Sequence, residues 1–269
     1  MNRRAAYEAR QKKRALMIAS VSTFLALAAV VILVPMTPGW PRVQQSFFSA
    51  DIFARSFPKM LEAFLLNIAI FAWSVPLVAL TGLLIALARS VQSPALFPLR
   101  IFGAAYVDIF RGLPVVLVIY LIGFGIPGLG LPRPYNSPYI WGTVALVLTY
   151  SAYVAEIIRS GIESVHPSQR AAGLSLGMSE RHVMRDIVLP QALRRVVPAN
   201  MNMLIAMQKD VALLSFIGPV EILRQAGIYK SLFANFTPYV VAAVIFLAVT
   251  IPATRYADYL MNRQRDARS

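Results

Sequence analysis

Long runs of apolar residues recur along this chain with almost no charge inside them. They lie at Leu16–Val34 and at about 60–88, 101–126, 139–155, 196–218 and 238–252, the last continuing toward Leu260. A helix crossing a bilayer takes about 20 such residues. The expected fold class is therefore all-α, a polytopic membrane protein of about six transmembrane helices. Composition agrees, with 58% hydrophobic and only 14% charged residues, against about 45–50% and 25% in soluble domains.

The first run follows Arg3, Arg4, Arg10, Lys12, Lys13 and Arg14 and ends at Val34-Pro35. It exceeds the about 7–15 residues of a signal-peptide core and lacks a small-residue cleavage site, so it reads as a retained helix. Sidedness follows from basic residues, which collect in cytoplasmic loops. With the N-terminus inside, eighteen of the 26 basic residues face the cytoplasm. Six (Arg42, Arg55, Lys59, Arg133, Arg224 and Lys230) face outward, and Arg111 and Lys209 fall within spans. Six spans with both termini in the cytoplasm of a prokaryotic plasma membrane is the topology this predicts.

The net charge of +14 is thus an orienting device rather than a nucleic-acid footprint, which needs a basic water-facing surface. Cysteine is absent, so no thiolate nucleophile or metal site is available. Gly173-Leu174-Ser175-Leu176-Gly177 matches G-x-S-x-G, but that elbow needs a strand-to-helix turn, and the downstream His182 and Asp186 stand in the wrong order. Gly123 to Gly128 matches G-x-G-x-x-G without the βαβ unit that gives the pattern meaning. His166 and His182 lack metal-ligand spacing. No catalytic residue, metal or cofactor is expected on this chain.

The one sizeable polar segment beyond the N-terminus, about 156–195, carries the function. Gln169 through Gly177 is rich in small residues (Ala171, Ala172, Gly173, Ser175 and Gly177), with Leu174, Leu176 and Met178 as large apolar ones. Small side chains permit close helix approach, and exposed apolar groups need a surface to cover them. Gly177 suits the residue just past a helix end, and Ser179 suits an N-cap. A second short helix, about 180–188, places Val183, Met184 and Ile187 on one face before Pro190. The result is a helix-turn-helix knob suited to a partner's groove, with about 1.5–3 kcal/mol available per buried Leu or Met.

The run Ala171-Ala172-Gly173, Gly177, Ile187, Leu189-Pro190 resembles the EAA loop of bacterial ABC importer permeases, usually written E-A-A-x3-G-x9-I-x-L-P. Phe110-Arg111-Gly112-Leu113-Pro114, the stretch Tyr153 to Ile162, Gln191-Ala192 and Lys209 to Gly218 extend the likeness to the polar amino acid permeases over about 61–263. The resemblance implies the type I ABC importer permease fold. Its cytoplasmic coupling helix, Gln169 to Met178, would turn ATP-driven closure of partner subunits into movement of the spans. It also implies a cytoplasmic ABC ATPase dimer that carries ATP and Mg, a second permease chain, identical or related, and an extracytoplasmic amino-acid-binding protein. Ala171 replaces the eponymous Glu and Gly173 the second Ala, so no salt bridge from that Glu carries over.

On this reading, residues 1–57 hold the basic N-terminus, an extra first span and an external connection. Residues 58–263 form a five-helix core, and 264–269 a cytoplasmic tail. Ionisable residues inside spans are costly and mark candidate pathways. Arg111, Lys209 and Asp210 qualify, joined by the polar Asn67 and Ser215. An amino acid carries both charges, and the Lys209-Asp210 turn offers a cation and an acceptor. Adjacent helical residues point about 100° apart, so these two need partners other than each other. Pairing near the cytoplasmic end of its span is the alternative role for Arg111. An ion-coupled secondary carrier and a membrane-embedded enzyme are the competing functions; neither would need an ATPase partner.

Overall fold

A computed structural model describes residues 3–91 and 93–266, all helical or irregular. In chain order the α-helices are α1 (Arg3–Leu33), α2 (Trp40–Phe47), α3 (Ala50–Ser90), α4 (Phe97–Gly112), α5 (Val115–Gly125), α6 (Pro138–Glu163), α7 (Pro167–Ser175), α8 (Glu180–His182), α9 (Leu189–Asp210), α10 (Ile222–Phe233) and α11 (Thr237–Asp266). The last residues of the expected tail, 267–269, lie outside the described residues.

Among the described residues four helical stretches are long and apolar enough to cross a membrane: Gln11–Leu33, Trp40–Ser90, Pro138–Glu163 and Thr237–Arg263. The third apolar run is two helices, α4 and α5, bent by 106°. Leu113 causes the break. It precedes Pro114 and is extended at φ −97°, ψ 139°, the conformation that a following proline ring imposes. The fifth run falls on α9 and the 3-10 turn Val211–Phe216. With Arg194, Arg195, Asn200, Asn202 and Gln208 in it, α9 is too polar to count as an apolar span by composition.

The hub of the bundle is α6, which packs against α3, α4, α5 and α9. Its interior positions are small (Ala145, Ser151, Ala152 and Ala155 are fully buried), so neighbouring helices come close. A Cβ on Gly82 of α3 would lie 2.7 Å from Val154 Cγ1, so the α3–α6 crossing depends on a bare backbone there. Two buried hydroxyls are satisfied within their own helices: Ser74 donates to the Ile70 carbonyl and Thr149 to that of Ala145. By contrast, the apolar stretch of α1 buries nothing against the rest of the protein. Its Leu, Val and Phe side chains are exposed, as a helix surrounded by lipid requires.

Candidate coupling loop and polar clusters

The polar segment folds as a compact knob beyond the end of α6. His166 caps α7, its Nδ1 accepting from the Ser168 N–H at 3.2 Å. At the other end Gly177 adopts φ +78°, a left-handed conformation that only glycine takes at no steric cost. The Gly177 N–H bonds the Leu174 carbonyl at 2.9 Å and the Met178 N–H bonds the Gly173 carbonyl at 3.2 Å, the paired pattern of a Schellman helix end. Ser179 then caps α8, its Oγ accepting from the His182 N–H. Both capping roles expected of Gly177 and Ser179 are those the backbone adopts.

The second helix departs from a regular α-helix. After α8 the chain widens into a π turn, Val183–Val188, that runs directly into α9. Pro190 explains this: it has no N–H to offer the Asp186 carbonyl and its ring crowds that oxygen, so the turn expands. Val183 and Val188 face the core, and Met184 packs at its edge. Gly173 fits against this turn so closely that a Cβ would lie 2.7 Å from Ile187 Cδ1 and 2.8 Å from Val183 Cγ2. On the outer side, Arg185 donates to Asp186 at 2.7 Å, which holds the Asp186 carboxyl below the ordinary carboxylate value.

Of the three large apolar residues of the knob, Met178 turns inward onto the core. Leu174 is 39% exposed and Leu176 83% exposed. Gln169, Ala171 and Ala172 lie on the open side of α7, while Leu189 and Pro190 begin α9. The Schellman end at Gly177 thus leaves Leu176, a large apolar side chain, mostly outside the core at the tip of the loop.

Behind the knob lies an ionic cluster. Glu156 of α6 accepts from Arg89, the last turn of α3, at 2.6 Å and from Arg159 at 2.5 Å. Arg111, at the end of α4, stands 3.8 Å from the same carboxylate, its guanidinium 5.8 Å from the centre of the Tyr153 ring. Arg159 also bonds Glu163. One carboxylate thus ties together the ends of three helices, and Arg111 is placed among them.

The remaining pathway candidates fall in two further places. Asp210 accepts from the Tyr150 hydroxyl at 2.7 Å. Lys209, exposed at the end of α9, makes no ion pair among the described residues. The two do not pair with each other. Just before them Gln208 is buried with its Nε2 unpartnered. Asn67 sits elsewhere: fully buried, it donates to Glu221 at 3.0 Å and accepts from the Ile222 N–H at 3.1 Å. Glu221 in turn caps α10, accepting from the N–H groups of Leu223 and Arg224, and Arg224 reaches the carbonyl of the buried Ser215 at 2.8 Å. Asn67 and Ser215 therefore belong to one network that anchors α10. Glu221 was not among the residues singled out from the sequence, because Glu is not one of the side chains that ordinarily mark an N-cap.

An α-helical bundle of membrane-length helices, with a knob exposing two leucines beside a half-buried ionic joint, defines a membrane component with an apolar tip on one face. Residues 46–266 match the family described as binding-protein-dependent transport system inner membrane component. The arginine transport system permease protein ArtQ of Bacillus subtilis is 32% identical over 212 residues, 77% of this chain and 92% of that protein. The probable glutamine ABC transporter permease protein GlnM of the same organism is 34% identical over 167 residues, 62% and 76% of the two chains. A crystal structure of an amino acid ABC transporter with histidines matches with a TM-score of 0.70 at 32% identity, covering 78% of this chain and 96% of that one. The methionine transporter MetNI in an inward-facing form shares the fold, with a TM-score of 0.55 at 19% identity. The chain belongs to the binding-protein-dependent transport system inner membrane components: it is the permease subunit of an ABC importer, with the type I fold. ATP hydrolysis in this family belongs to a separate subunit.

Proposed function

We propose that this permease imports a polar or charged amino acid, driven by a cytoplasmic ABC ATPase dimer that docks on the α7 knob and carries the ATP and Mg. The observation that carries this reading is Leu176, 83% exposed on a loop whose two ends are fixed by backbone hydrogen bonds. A leucine held in water gains about 1.5–3 kcal/mol when a groove covers it, and the fixed loop spares the entropy of ordering it. The permeases for arginine and glutamine named above support the substrate class. The knob then faces the cytoplasm, as do both termini, in keeping with the excess of arginine on that side. A second permease chain, identical or related, completes the pore, and an extracytoplasmic binding protein delivers the amino acid.

ATPase closure pushes α7, and the joint at Glu156 passes that displacement to α3, α4 and α6 together. Lys209 and Asp210, beside the buried amide of Gln208, supply a cation and an acceptor for the two charges of an amino acid. The experiment is ATP-driven uptake of labelled amino acids into proteoliposomes holding the full transporter and its binding protein. Uptake of a polar or charged amino acid that falls at least about tenfold in Lys209→Ala and Asp210→Ala, with ATPase coupling intact, is the expected result. Unchanged uptake in both variants removes them from the pathway. Uptake without ATP overturns the importer reading.

A further inference from the structure

Where α7 meets the bundle, a cavity of about 420 Å³ opens between the ends of α3 and α6 and the start of α4. Four guanidiniums line it, from Arg89, Arg100, Arg159 and Arg170, with Glu163 as the one lining carboxylate. Arg89 and Arg159 are held from behind by Glu156. That pairing fixes their positions and leaves part of their donor sets free, because each guanidinium carries five N–H groups. Arg100 lies over the Phe97 ring, 5.1 Å from its centre. Neither it nor Arg170 has an ion-pair or hydrogen-bond partner among the described residues. Even with Glu156 counted, the cavity holds two more positive charges than negative ones.

We infer that this cavity binds a phosphate-bearing anion, supplied by an anionic lipid headgroup or by free phosphate. Planar guanidiniums match phosphate oxygens bidentately. Two of the four are pre-positioned by Glu156, and two carry charge that no acid among the described residues pairs with. Basic pockets between span ends on the cytoplasmic side are the setting in which anionic headgroups are held. Arg170 stands on α7, whereas Arg89 and Arg100 stand on the end of α3 and the start of α4, so the anion bridges the knob to the spans. An occupied site therefore stiffens the joint through which the knob moves the bundle. Only this last consequence rests on the coupling role proposed above; binding itself does not.

The test is native mass spectrometry of the intact transporter in detergent, with phosphatidylglycerol or phosphatidylcholine added, for wild type, Arg100→Gln, Arg170→Gln and the double variant. Arg133→Gln, an exposed arginine in the α5–α6 connection, is the control. Wild type and the control are expected to retain phosphatidylglycerol in preference to phosphatidylcholine. Retention should weaken about fivefold in each single variant and about thirtyfold in the double one. The single variants carry the test if the double one does not fold. A parallel arm titrates inorganic phosphate and follows the melting temperature. A phosphate-dependent rise in wild type that the variants lack, without lipid retention, assigns the site to free phosphate. Equal lipid retention and equal phosphate response in all proteins overturn the inference. So does a loss of the copurifying ATPase in the variants with no anion effect, since the arginines would then serve a protein partner. Transport activity enters none of these readouts, so failure of the amino acid assignment and failure of this site are distinguishable.

Discussion

Gly173 and Ile187 are packed so closely that a Cβ on the glycine would stand 2.7 Å from the isoleucine Cδ1. This contact seats α7 on the π turn and sets the direction in which Leu176 points. Gly173→Ala places its methyl against both Ile187 Cδ1 and the Cγ2 of the fully buried Val183, 2.8 Å away, so it is expected to cost stability. Gly173→Val adds a branched side chain that must also displace Val183, an overpacking worth about 1–3 kcal/mol. Thermal unfolding of the purified permease should show a drop for Ala and a larger one for Val. Equal melting temperatures for all three would mean that the knob adjusts freely and is not rigid.

Glu156 binds Arg89 and Arg159 with side chains only 15–29% exposed, and Arg111 lies close by. Removing its charge leaves Arg89 without an anionic partner and Arg159 with Glu163 alone, and a hydrogen bond to a charged group contributes about 1.5–3 kcal/mol. Glu156→Gln should lower stability by an amount in that range. A double-mutant cycle of Arg89→Ala with Glu156→Ala, read by thermal unfolding, should give a coupling of about 1 kcal/mol or more. Additive effects would mean that α3 and α6 are not joined through this pair.

Glu221 is fully buried and closes the start of α10 while holding Asn67. Glu221→Ala loses a cap worth about 0.5–2 kcal/mol and leaves the Asn67 amide unpartnered. Asn67→Leu should destabilise comparably because it takes one donor from the buried Glu221 carboxylate and leaves the Ile222 N–H without its acceptor. Both variants are expected to lower the melting temperature, while the KM for the amino acid in the folded fraction stays at the wild-type value. A KM change with unaltered stability would return Asn67 to the transport pathway.

Much of this is legible in the sequence. The apolar runs announce helices because the bilayer demands them, and Gly177 and Ser179 announce the ends of the knob because their backbone chemistry is local. What resisted reading depends on distant contacts. The 106° break at Leu113 sits inside an unbroken apolar run, so hydropathy passes over it, although the proline rule could have found it. Arg89 counted only as an orienting charge, since nothing local reveals that a residue 67 positions away accepts its hydrogen bond. Asn67 and Ser215 looked like isolated polar groups in spans, because their link through Glu221 and Arg224 joins α3 to α10 across the fold. The apolar run at about 196–218 marks only the later part of α9, because that helix begins in the polar stretch at Leu189.

Copurification shows whether the ATPase docks on the knob. The permease is co-expressed with its ATPase and binding protein, and the ATPase retained with tagged permease is quantified for wild type and Leu174→Asp/Leu176→Asp. Both leucines are exposed, so the substitution leaves the bundle core untouched. The account predicts that the variant permease folds with a wild-type melting temperature and loses the ATPase. Full retention of the ATPase by a folded variant would contradict it.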